Sequence, residues 1–139
     1  MKLKLLLLLL LSISYSAFSQ NVKLKKNKLI LDDKEIMNYE LKNYSHEIHL
    51  YNLNTNDEEI FIFYHDNETR ENRGDDYLKI FFIKSNKKLE VALPFDSWKQ
   101  RVKFLIENNV IDKDGNLIED KIDLFVLKYN EDISKRTMR

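Results

Sequence analysis

The run Tyr77-Leu-Lys-Ile-Phe-Phe-Ile-Lys84, the polar triplet Ser85-Asn-Lys87 and the run Lys88-Leu-Glu-Val-Ala-Leu93 decide the fold. Two apolar segments rich in aromatic and branched residues, joined by three polar ones, read as a β-hairpin. Pro94 has no N–H to give a ladder and ends the sheet. Behind it, Asp96 or Ser97 can cap a helix whose apolar positions are Trp98, Val102, Leu105, Ile106 and Val110. After the turn Asp112-Lys-Asp-Gly-Asn116, with Asn116 as the expected cap, Ile118, Ile122, Phe125, Val126 and Tyr129 form the apolar stripe of a second helix.

Working outward, the upstream chain is sheet. Val22 to Leu31 alternates around a turn at Asn27, Asp32-Asp-Lys34 is a second turn, and Glu35 to Leu41, Glu47 to Leu53 and Glu58 to Tyr64 are strand runs. The chain has only 2 glycines, so these turns rely on Asn and Asp, which tolerate the left-handed region. The expected fold is α+β: a twisted antiparallel sheet of about six strands, with two C-terminal helices packed on one face.

The first residues carry an address. Lys2 and Lys4, the apolar run Leu5 to Leu11 and Ala17-Phe-Ser19 have the three parts of a secretory signal. The apolar run is shorter than the about 20 residues that span a bilayer. The expected organisation is a signal peptide over 1–19, one α+β domain over 20–129 and a mobile tail over 130–139. The product is expected to be exported to the periplasm or the medium, with no membrane insertion after cleavage. Cysteine is absent from the sequence, so the domain must hold by packing alone. Lys2 and Lys4 are two of the 23 basic residues, and without them the 23 acidic residues are in slight excess. That balance offers no electrostatic footprint for nucleic acid.

No constellation of reactive residues meets the requirements of an active site. Asp112-x-Asp114-Gly115 resembles a calcium loop, but with Gly115 sixth the twelfth position is Lys121 instead of a glutamate. His46 and His49 are three apart in a strand run and point to opposite faces, which does not suit a shared metal. Neither a G-x-S-x-G elbow nor a cysteine nucleophile is present. The expectation is therefore no catalytic residue, no cofactor and no metal.

Alternation sorts the sheet residues into two faces. Ile48, Leu50, Ile60, Ile62, Leu78, Ile80, Phe82, Leu89, Val91 and Leu93 fall on the face that the helices cover. The other face carries Tyr51, Leu53, Phe61, Phe63, Phe81 and Ile83, where a two-layer domain would be polar. Either the sheet curls or the N-terminal strands fold across this face, making a second core, or it is an exposed patch. Tyr51, Phe61, Phe63, Tyr77 and Phe81 are the candidate partner- or ligand-binding residues, with Tyr51 and Tyr77 at the rim. Three functions fit. The first is a non-enzymatic interaction module, binding a protein partner or a second copy. The second is a carrier of a small apolar ligand inside a curled sheet. The third is a small hydrolase using His65 and the acidic residues of the loop 65–76.

The segment Asn108-Asn-Val-Ile-Asp-Lys-Asp-Gly-Asn-Leu117 followed by Phe125-Val-Leu-Lys-Tyr129, together with the Ala-Phe-Ser-Gln end of the signal, resembles uncharacterised small exported proteins of Gram-negative bacteria. The resemblance covers the C-terminal helix–turn–helix and the signal. It implies an address and no catalytic residues.

Intact mass of protein recovered from the periplasm or medium should correspond to a chain beginning at Gln20. Recovery of the full-length chain in the cytosol or membrane would contradict the address.

Overall fold

From Val22 to Val91 the chain alternates between two surfaces, and the sheet this builds sets every later contact. The computed structural model describes residues 19–66, 68, 71, 73–92 and 95–137. Residues 1–18 of the expected signal peptide over 1–19, and the expected roles of Leu93 and Pro94, lie outside the described residues. Seven strands follow in order: β1 (Val22–Lys25), β2 (Lys28–Leu31), β3 (Lys34–Lys42), β4 (Glu47–Asn52), β5 (Glu58–His65), β6 (Tyr77–Phe82) and β7 (Lys87–Val91). They pair antiparallel as one open, twisted meander in which each strand neighbours the next. The count is seven because Val22 to Leu31 divides at Lys26 and Asn27, both at positive φ. Asp32 and Asp33 make the next two-residue turn in the same conformation, so Asn, Asp and Lys do the work usually given to glycine.

Cross-strand partners share a face, and the register confirms the sorting read from alternation. Ile48 opposes Ile62, Leu50 opposes Ile60, and Ile62 and Ile60 oppose Ile80 and Phe82. Leu78 and Ile80 oppose Val91 and Leu89. All of these are buried in one core with Val22, Leu29, Leu31 and Met37. Helices α1 (Trp98–Glu107) and α2 (Glu119–Tyr129) cover this face, inserting Val102, Leu105, Ile106, Ile122 and Phe125. The rings of Phe82 and Phe125 meet edge to face, 6.4 Å apart. Helix α1 also reaches β1 while α2 reaches β7, so the sheet wraps round the helix pair.

Two bulges tune the sheet. Between β4 and β5, Glu59 is the extra residue, and its buried carboxylate is answered by Lys84 Nζ at 2.8 Å. Between β2 and β3, Ile36 is the extra residue, so Ile36 and Met37 are both buried in succession. The turn between α1 and α2 lands on that second bulge. Asp112 Oδ1 accepts from the N–H groups of Asp114 and Asn116 at 2.8 and 2.9 Å, and Lys34 pairs with Asp114. Gly115, at φ +83°, sits where a Cβ would lie 2.0 Å from the Ile36 carbonyl oxygen.

Ser97 caps α1, accepting from Gln100 N at 3.3 Å. The expectation for Asn116 is corrected: the N-cap of α2 is Ile118, with no side-chain cap, because Asn116 is held in the Asp112 turn. Instead of leaving the fold at once, residues 130–134 run along the edge of β7. Glu131 N donates to Glu90 O at 2.8 Å, Glu90 N to Asn130 Oδ1 at 3.0 Å, and Ala92 N to Glu131 Oε2 at 2.7 Å. A short helix, α3 (Ile133–Thr137), follows, and Ser134 N donates to Glu90 Oε2 at 2.6 Å. These bonds satisfy an edge strand that would otherwise be open to pairing.

Replacing Gly115 by Ala puts a Cβ into the Ile36 carbonyl at a strained φ, and should cost at least about 2 kcal/mol in a urea unfolding titration. An unchanged midpoint would mean that the turn does not depend on this close approach.

Candidate functional site

The outer face of the sheet is aromatic, as alternation implies, and among the described residues no N-terminal strand folds across it. β1 to β3 continue the same sheet, so the expected second core formed by N-terminal strands is not there. Phe61, Phe63 and Phe81 are half-buried, and Phe63 meets His65 edge to face with centroids 5.8 Å apart. His49, Phe61 and Phe81 stack across three strands with centroids 4.7 and 5.3 Å apart. The His49 ring nitrogens meet Glu58 at 2.5 Å and Glu47 at 3.2 Å. Tyr51 is half-buried and donates its hydroxyl to Glu40 at 3.2 Å. Tyr77 is 4 % exposed and stacks on His65, so its expected place at the rim is corrected to a buried one. The five candidate residues therefore share a face, with their rings occupied by neighbours, and Tyr77 alone of them also lines the cleft described next.

A different set converges at the other end of the molecule. The β3–β4 turn, the ends of β5 and β6, and the start of α1 enclose a cleft of about 730 Å3. That is within the usual range for small-molecule sites. On the turn, Asn43, Tyr44 and Ser45 all have positive φ (50°, 53° and 65°), and Tyr44 is 99 % exposed. A bulky residue held in the left-handed region is uncommon and strained. The turn is fixed from the helix side, where Trp98 Nε1 donates to Ser45 O at 2.9 Å.

Arg101, one turn after Trp98 on the same helix face, lies over two rings: its guanidinium carbon is 4.5 Å from the Trp98 centroid and 4.7 Å from that of Tyr64. Its Nε donates to Phe95 O at 3.1 Å. Among the described residues its terminal amino groups make no hydrogen bond or ion pair. Burial lowers its pKa from the usual arginine value, against the opposing charges of Tyr64, Asp96 and Asp76.

Tyr64 joins this cation to a carboxylate by donating its hydroxyl to Asp76 Oδ2. Burial first, then the hydrogen bond and charge of Asp76, push the phenol up to about 12. Tyr64 is thus a firm donor and a poor base. The second oxygen, Asp76 Oδ1, is buried and has no hydrogen-bond partner among the described residues. An unsatisfied buried acceptor costs about 1–3 kcal/mol, so such atoms are rare and call for a reason.

His65 does not join this group. It lies opposite Tyr77 on the outer face, whereas Tyr64 and its partner Leu78 face inward. His46 does line the cleft, with its ring 6.2 Å from Tyr64, but among the described residues no carboxylate or hydroxyl is hydrogen-bonded to its imidazole. No group of three or more metal-ligating side chains occurs among the described residues. Among them, too, no helix is long and apolar enough to cross a membrane. Sequence reading missed the cleft because its members come from four separate segments. In the sequence Asp76 is one of several acidic residues in the loop 65–76, and Arg101 falls between the apolar positions of an amphipathic helix.

Compared with known protein families, curated proteins and solved structures, the chain has no match.

Because its pKa is raised in the fold, Tyr64 contributes stability that is complete below pH 10.0 and is lost as pH rises toward 12. Tyrosine ring NMR should find this phenol titrating near 12, and Asp76→Asn should lower it only part of the way to 10.0, since burial is the larger cause. Titration of Tyr64 at the ordinary value in the unaltered protein would contradict the hydrogen bond.

Proposed function

We propose that this is an exported, non-enzymatic binding module, working in the periplasm or outside the cell, that takes its ligand in the cleft between the Asn43–Ser45 turn and α1. The observation that carries this reading is the buried Asp76 Oδ1, unpartnered among the described residues, across Tyr64 from a guanidinium whose terminal amino groups are also uncommitted. Rigid aromatic walls with a few convergent polar groups are what small-ligand sites need. The cleft is a better candidate than the outer face, where Phe61 and Phe81 stack on each other and His49 is already met by two carboxylates.

The two alternatives have less behind them. A carrier of an apolar ligand needs space on the concave face, and that face is filled by Ile48, Ile60, Ile62, Ile80, Phe82 and Phe125, all buried. A hydrolase needs a base within hydrogen-bond reach of a nucleophile. His65 lies on the opposite face from Tyr64 and Leu78, and Tyr64 holds its proton.

The test is amide chemical-shift mapping of labelled protein titrated with the low-molecular-weight fraction of the native envelope. Saturable shifts concentrated at residues 43–46, 64, 76–78 and 95–101, and absent in Asp76→Asn, are expected. Shifts confined to the face of His49, Phe61 and Phe81, or none at all, would overturn the assignment.

A further inference from the structure

We propose that the ligand of this cleft is a zwitterion, a free α-amino acid with an apolar side chain; this rests on the reading of the cleft as the ligand site. Three observations select that chemistry. First, Asp76 lines the cleft with one oxygen held by Tyr64 and the other buried and without a donor among the described residues, so the carboxylate is short of donors and favours a cation brought to it. An ammonium group, with three donors and a positive charge, satisfies it best.

Second, Arg101 is fixed by its rings and by Phe95 O, which leaves its terminal amino groups as a fork of the kind that grips a carboxylate. Arg101 and Asp76 sense each other's charge, yet they form no ion pair. Tyr64 separates them, stacking on one and hydrogen-bonding the other. A ligand carrying both charges can engage both half-sites at once. The ammonium nitrogen and carboxylate carbon of an α-amino acid are about 2.5 Å apart by standard geometry.

Third, the charges that line the cleft balance: Arg73 and Arg101 stand against Asp76 and Asp96. A cleft of that balance favours neither a net anion nor a net cation. Trp98 and Phe95 supply an aromatic wall for a side chain.

Trp98 is the sole tryptophan, so its emission reports the cleft directly. Purified protein is titrated with L-leucine, N-acetyl-L-leucine, L-leucinamide and a neutral saccharide, with calorimetry as the second readout. A saturable change with L-leucine is expected, weakened about tenfold or more when either end is blocked. Asp76→Asn should weaken L-leucine and leave N-acetyl-L-leucine unaffected, while Arg101→Gln should do the same for L-leucinamide. Equal binding of a blocked compound, or binding of the saccharide alone, overturns the zwitterion and leaves the binding-module reading standing. No saturable response from L-leucine overturns the zwitterion whatever the variants do, and envelope-extract shifts that also fail to appear overturn both.

Discussion

Period-two alternation gathers Ile48, Leu50, Ile60, Ile62, Ile80 and Phe82 onto one surface, and that surface must be covered. A one-residue slip in any central pair would send these side chains to the solvent side and bring Phe61, Phe63 and Phe81 inward. The covering comes from one place in the chain. Both helices follow β7, and to cover a seven-stranded sheet they must reach from β7 to β1. The sheet therefore wraps, and the connection between the helices has to pass close to the β2–β3 bulge. Gly115 against the Ile36 carbonyl is the consequence of that close approach.

The same constraint makes the cleft. Helix α1 begins where the sheet's β3–β4 turn and the ends of β5 and β6 lie, and its first turn carries Trp98 and Arg101 toward them. Trp98 holds Ser45 O, and Arg101 settles on Tyr64, so the helix is tied to the sheet end by one hydrogen bond and one ring contact. These ties leave polar capacity over: one oxygen of Asp76 and the terminal amino groups of Arg101. In a domain without cysteine, where packing alone supplies stability, such incomplete pairing is conspicuous.

Much of the fold was legible because it rests on local rules. The hairpin of β6 and β7, the division of residues between two faces, the Ser97 cap and the stripes of both helices all follow from neighbours a few positions apart. Where sequence reading failed, long-range contacts had decided. Asn116 is a good cap by type, but the Asp112 carboxylate claims its N–H. Residues 130–134 lack apolar periodicity, yet β7 offers them an open edge. Tyr77 alternates outward but is buried against His65. The cleft was the least legible part, since Tyr44, Tyr64, Asp76 and Arg101 are brought together only by the wrap of the sheet. The run of positive φ at Asn43-Tyr44-Ser45 has no sequence signal, because Tyr is not a residue that normally takes that conformation.

Sites kept for ligands are commonly left short of their best stability, and residues that serve the fold are not. The stability of Asp76→Asn without ligand therefore tests the central claim most directly. If Asp76 is held in place to receive a ligand, replacing its unpartnered oxygen by an amide should leave urea stability within about 1 kcal/mol of the unaltered protein, since the Tyr64 hydroxyl keeps an acceptor. A loss of about 2 kcal/mol or more would contradict it, marking Asp76 as a structural acceptor that the fold cannot spare.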